Sequence, residues 1–227
     1  MPWRPHLNVM TRLTKGSQLD AENRRSRGSP GRPFETGLGR MTRRQPETVR
    51  ELIAACYANL ASADSALSGG RGKYITVDYM IAARLYKGLV TETMSMRSLY
   101  HDERLKMTMP QACYYCGSQQ NLAVDHLIPR LRGGPDEADN LIWACRACNS
   151  SKSARDMLEW MQAKGSFPSI LLLRRYVKIV SRHCSRVGCM DVLLEDSGDI
   201  DLPFDIMRIP IVFPPLGELR LWVYPES

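Results

Sequence analysis

No apolar run in this 227-residue chain reaches the roughly 18 residues that a membrane span requires; the run Ile170 to Leu173 is broken at once by Arg174 and Arg175. The first residues also lack the apolar h-region of a secretory signal. A soluble, intracellular protein with a cytoplasmic location and no membrane partner is therefore the expectation. No internal repeat is visible. With 44% hydrophobic and 24% charged residues, the composition is that of an ordinary globular protein. A chain of this length can bury about 70% of its unfolded surface, so a substantial core is feasible.

A net excess of basic charge is absent from most of the chain. Residues 1–50 hold 11 Lys/Arg against 4 Asp/Glu, whereas residues 51–227 hold 20 of each. The net charge of +7 thus belongs to an N-terminal arm and the body is balanced. Residues 1–44 mix Arg, Gly, Pro and Ser without a sustained hydrophobic period and read as a disordered basic arm. Such an arm suits phosphate neutralisation or is a solvated tail, and Met41 also reads well as a start. Between Asp191 and Asp205 the opposite holds: Asp191, Glu195, Asp196, Asp199, Asp201 and Asp205 follow one another with no basic residue among them.

Around the centre, hydrophobic spacing predicts helices. Val49, Leu52, Ile53, Cys56, Tyr57 and Leu60 form one stripe of a helix over 46–67, with Gly69-Gly70-Arg71-Gly72 as its stop. Further helices are expected over 76–89, 92–107, 156–163 and 168–187, the last with Leu172, Tyr176, Ile179, Val180 and His183 inward and Gly188 at its end. Leu219 to Tyr224 alternates like a strand. The expected organisation is a basic arm (1–44), a helical region (45–109), a Cys- and Gly-punctuated module (110–165), a basic amphipathic helix (166–190) and an acidic, Pro-rich tail (191–227). The fold class is α+β, mainly helical.

Seven cysteines are an odd number, and only four are regularly spaced: Cys113 with Cys116, and Cys145 with Cys148. Two C-x-x-C hooks in an intracellular chain point to metal rather than to disulfides. Four thiolates close a tetrahedral shell around Zn²⁺ with no open position, which makes a structural site. Cys56, Cys184 and Cys189 read as reduced thiols outside it.

Between the hooks lies Asp125-His126. A carboxylate is a hard oxygen ligand for Mg²⁺ or Mn²⁺, and a neutral imidazole takes a proton from water near pH 7. Neighbours on a strand point to opposite faces, so both reach one site only if the strand bends or one contact is indirect. Asn149 follows the last cysteine and Lys152 lies three residues on; on a helix they share a face. Asn149 then offers an amide oxygen to the same ion, or caps the helix, while Lys152 faces a phosphate. No second carboxylate cluster is present in this window, so one divalent ion rather than two is expected.

The series C-x-x-C, D-H-x-x-P, G-G, N-L, C-x-x-C-N-x-x-K over about residues 110–155 resembles the four-cysteine HNH endonucleases. The resemblance implies a ββα-metal fold in which a hairpin and a helix surround one catalytic ion. It implies that His126 is the general base, that Asp125 and Asn149 hold the catalytic Mg²⁺ or Mn²⁺, and that Asn140 orders the loop across the hairpin. Cys113, Cys116, Cys145 and Cys148 would bind structural Zn²⁺, and products would carry 5′-phosphate and 3′-hydroxyl ends. DNA is the implied partner, held through its backbone by Arg130, Arg132, Arg146 and Lys152 and by a strip of Arg174, Lys178 and Arg182 on the basic helix; an ordinary solvated helix face is the competing account of that strip. The chain resembles bacterial HNH effectors, whose settings include phage defence of the Zorya or restriction type, mobile elements and phage packaging, with partner proteins or the acidic stretch 191–205 as restraints. The competing reading is a non-catalytic zinc module that binds nucleic acid or protein.

Overall fold

The computed structural model describes residues 45–225, so the basic arm expected at 1–44 lies outside the described residues. A central helix α1 (Val49–Ser68) runs through the core, with 13 of its 20 residues buried. Beyond the apolar stripe, Ala54, Ala55, Ala58, Ala63 and Ala66 are buried too, and these small side chains admit close neighbours. The helix begins after Pro46 because Thr48 takes the N-cap, its hydroxyl accepting from the Glu51 N–H at 3.2 Å. The N–H groups of Val49 and Arg50, which a helix cannot satisfy itself, donate to Val192 and Met190 carbonyls.

Helix α2 (Thr76–Val90) packs against α1. Helix α3 (Leu99–Thr108) starts later than the spacing predicted, because Glu92 adopts a left-handed backbone (φ 57°) and Met94 folds back to hydrogen-bond Gly88. The two strands β1 (Leu122–His126) and β2 (Leu141–Cys145) pair antiparallel, with Asp125 opposite Ile142 and His126 opposite Leu141. A short helix α4 (Arg146–Lys152) follows directly and packs across both strands. Helix α5 (Met157–Ala163) is capped by Asp156, which accepts from the Leu158 N–H at 2.9 Å. Helix α6 (Ile170–Val187) packs on α1 and α3 and ends at Gly188, whose φ of 73° is the left-handed C-terminal stop. The fold is α+β, mainly helical, with one two-stranded sheet among the described residues.

The segment Leu219 to Tyr224 is not a strand. Leu219 and Trp222, three residues apart, are its buried side chains, and its carbonyls serve a helix: Ile170 N–H donates to Arg220 (2.9 Å) and Leu171 N–H to Leu221 (3.2 Å). An alternating segment becomes a strand only beside another strand, and here the start of α6 supplies the donors instead. The rest of the tail is part of the core as well, with Phe204, Ile206, Ile209, Phe213 and Leu216 buried in it. Among the described residues no helix is long and apolar enough to cross a membrane.

Candidate functional site

The two cysteine hooks converge at one end of the hairpin. Cys113 opens a tight turn in which Gly117 N–H donates to Cys113 O and Cys113 N–H to Ser118 O, both at 2.8 Å. Cys145 ends β2 and caps α4, its sulfur accepting from the Cys148 N–H at 3.4 Å. The four Sγ atoms lie within 4.8 Å of one another, with Cys116 and Cys145 3.7 Å apart. A tetrahedron with zinc–sulfur bonds of about 2.3 Å has an edge of about 3.8 Å. Burial first, and then the neighbouring thiols, push the Cys148 thiol up, and burial also raises Cys116. Such crowded thiolates call for a cation, and the donor set fits a closed zinc site.

Strand alternation separates Asp125 from His126. Asp125 turns inward, 6% exposed, where Oδ2 accepts from the Tyr115 hydroxyl at 2.7 Å and Oδ1 pairs with Lys152 Nζ at 3.1 Å. Burial, then the Asp125 charge, hold the Tyr115 phenol well above its ordinary pKa, so it remains a donor. Lys152 also donates to the His126 carbonyl at 2.7 Å. Burial pulls the Lys152 ammonium down while Asp125 opposes that shift. His126 faces the other way and keeps partial exposure, with its Nε2 2.8 Å from Asp136 Oδ1. The His126 ring and then the Arg130 guanidinium hold Asp136 below the usual carboxylate range.

The loop between the strands hangs on one buried side chain. Asn140 Oδ1 accepts from the Ile128 N–H at 2.9 Å, and its Nδ2 donates to the carbonyls of Ile128 and Pro135, both at 2.8 Å. Gly134 is required beneath it, since a Cβ there would lie 2.0 Å from the Ile128 carbonyl oxygen. Asn149, partly buried on α4, reaches the Val124 carbonyl at 3.5 Å. Among the described residues no hydrogen bond joins Asn149 to Asp125.

Residues 113–155 match the family model of the HNH endonucleases. No curated protein and no solved structure matches the chain. The HNH segment thus includes both cysteine hooks, the Asp125-His126 pair, Asn140, Asn149 and Lys152. A carboxylate such as that of Asp125 and an amide oxygen such as that of Asn149 are donor types that suit a hard divalent ion. Tyr115 and Lys152 each occupy one direction at the Asp125 oxygens, and a carboxylate has about four lone-pair sites.

Around the HNH segment, the expected basic contacts divide. Arg146 is exposed at the start of α4. Arg130 is 65% exposed beside Asp136, and Arg132 pairs with Glu159 at 2.9 Å. Lys152, expected to face a phosphate, is instead buried against Asp125. The strip on α6 is also corrected. Arg174 bonds Asp64 and Asp102, and Lys178 is buried on Asp102, so neither charge faces solvent. Arg182 is half exposed but pairs with Glu137 (2.7 Å) and Asp139 (2.8 Å). Its neighbour Arg175, 2% exposed, donates to the carbonyls of Ala138 and Asp139, and burial pulls its pKa down to about 10. The basic face of α6 therefore grips the acidic turn that leads into Asn140.

Two site neighbours escaped the sequence reading: Tyr115 and Asp136. Tyr115 sits inside a hook already marked for metal, and Asp136 follows the Gly133-Gly134 turn. In both cases the missing information was a long-range pairing, and the one signal available was that a buried carboxylate and a working imidazole each need a partner.

Proposed function

We propose that this protein is a metal-dependent DNA endonuclease or nickase. The observation that carries the reading is His126: a partly exposed imidazole on a hairpin tied at one end by four cysteines, inside a segment that matches the HNH endonucleases. His126 takes a proton from water, the resulting hydroxide oxygen forms a bond to phosphorus, the P–O3′ bond breaks, and the departing 3′-oxyanion takes a proton from solvent water, leaving 5′-phosphate and 3′-hydroxyl ends. Asp125 and Asn149 are the residues that would hold Mg²⁺ or Mn²⁺, which when bound supplies Lewis-acid stabilisation of charge on the phosphoryl oxygens. Asn140 keeps the loop beside His126 in place through its three hydrogen bonds. Arg130 and Arg146 are exposed cations for backbone phosphates, with Arg132 beside them once its bond to Glu159 opens. The test is cleavage of supercoiled plasmid with Mg²⁺ or Mn²⁺, compared between wild type and a zinc-loaded His126→Ala variant.

A second reading is favoured by Asp125 itself. Its two oxygens bond Tyr115 and Lys152 in the interior, which is what a purely structural carboxylate does. A zinc-stapled module that binds nucleic acid or protein without cutting would keep those bonds and show no divalent-metal dependence of its DNA affinity. A setting in bacterial phage defence, in the cytoplasm, rests on resemblance to HNH effectors. Phage plating on a host expressing wild type or His126→Ala tests it, and equal plating on both would reject it.

A further inference from the structure

We propose that Asp136 is a positioning residue for His126, selecting the imidazole tautomer that carries its proton on Nε2 and leaves Nδ1 as the basic nitrogen. The inference deepens the nuclease reading above and rests on it for its catalytic part. His126 Nε2 lies 2.8 Å from Asp136 Oδ1, and the other Asp136 oxygen lies 3.2 Å from Arg130 Nη1. An ionised carboxylate only accepts hydrogen bonds, so the ring nitrogen that faces it must be the protonated one. The remaining nitrogen then holds the lone pair that a general base needs.

The pairing is more than a chance meeting of two surface groups, because the backbones on both sides are anchored. Asn140, fully buried, bonds Ile128 two residues after His126 and Pro135 immediately before Asp136. Gly134 N–H donates to Pro129 O at 3.0 Å and Asn140 N–H to Glu137 O at 2.8 Å, which closes the loop on either side of Asp136. One asparagine thus sets the spacing between the ring and the carboxylate. The exposed Arg130 guanidinium lies beside the second Asp136 oxygen and favours its ionised form. When the ring accepts a proton from water at Nδ1, the same carboxylate faces the imidazolium and stabilises its charge.

Two readouts on the full, zinc-loaded chain test this. The first is the ¹⁵N tautomer signature of His126, recorded without catalytic metal at a pH about two units above an ordinary imidazole pKa and assigned by loss of the signal in His126→Ala. Wild type is expected to show protonated Nε2 and unprotonated Nδ1. Asp136→Ala is expected to shift toward a mixture of tautomers, whereas Asp136→Asn, which keeps an acceptor oxygen, stays closer to wild type. The second readout is plasmid cleavage, in which Asp136→Ala should lower kcat by about 10–100-fold with KM unchanged or lower. Lower KM with unchanged kcat would mean that Asp136 merely repels DNA, and would overturn the proposal. An unchanged tautomer signature in Asp136→Ala would overturn it as well. A wild type that cuts no DNA with either metal rejects the nuclease reading and the catalytic half of the proposal; the tautomer signature then decides by itself whether Asp136 orients the ring.

Discussion

Lys152 Nζ stands 3.1 Å from Asp125 Oδ1 in the interior, the two side chains 1% and 7% exposed. This one ion pair links the last turn of α4 to β1, and the same ammonium holds the His126 carbonyl. The carboxylate proposed above to hold a divalent ion is therefore placed by a residue of the same HNH segment. Tyr115 places it from the other side, out of the first cysteine hook.

Removing Lys152 should therefore leave an unpaired buried carboxylate. Lys152→Ala is expected to destabilise the protein by about 3–5 kcal/mol, measured by urea unfolding of the zinc-loaded chain. Adding Asp125→Asn should recover part of that loss, because the stranded charge is gone. A cost below about 1 kcal/mol would match an exposed pair instead.

Zinc is expected at about one ion per chain, held by four cysteines with no open position. Cys148→Ser or treatment with a strong chelator should release it and lower the melting temperature, since metal binding at such a site is coupled to folding. Metal analysis beside thermal unfolding checks this; an unchanged melting temperature after complete zinc loss would contradict it.

The division among basic residues predicts opposite phenotypes. Lys178→Ala should cost about 1–3 kcal/mol of stability, because Asp102 loses a buried partner. Arg146→Ala should leave stability within about 0.5 kcal/mol and weaken DNA binding, reducing the salt slope by about one. Titrations of duplex DNA at several salt concentrations, beside urea unfolding, separate the two. Equal loss of DNA affinity with unchanged stability in both variants would mean that Lys178 reaches DNA.

The acidic segment behaves as two things at once. Deleting 191–205 would remove the buried Phe204 and the Val192 carbonyl that receives the Val49 N–H, so the deletion should unfold the protein. Neutralising Glu195, Asp196, Asp199 and Asp201 to their amides spares the core. If those charges shield the cationic surface, DNA binding should tighten at low salt and converge with wild type at high salt. Equal affinity at low salt would dismiss the shield.

Much of the fold was legible because helix ends are written locally. Thr48, Asp156 and Gly188 mark boundaries that periodicity alone leaves a few residues loose. The cysteine hooks, Asp125-His126 and Asn140 were legible as a pattern of fixed spacing. What was not legible depends on partners distant in sequence. A lysine such as Lys152 is outward by default, and partners 26 and 27 residues earlier, the His126 carbonyl and the Asp125 carboxylate, draw it inside. Arg174 and Lys178 repeat at helical spacing like a DNA-facing strip, yet Asp102 on α3 claims both. The tail carries its acids at the surface while Phe213, Leu216 and Trp222 fill the core.

The central claim is that His126 drives phosphodiester hydrolysis. Supercoiled plasmid incubated with Mg²⁺ or Mn²⁺ and wild-type protein should convert to open-circle or linear DNA, and His126→Ala, with zinc and fold intact, should not convert it. Cleavage retained by that variant would contradict the account.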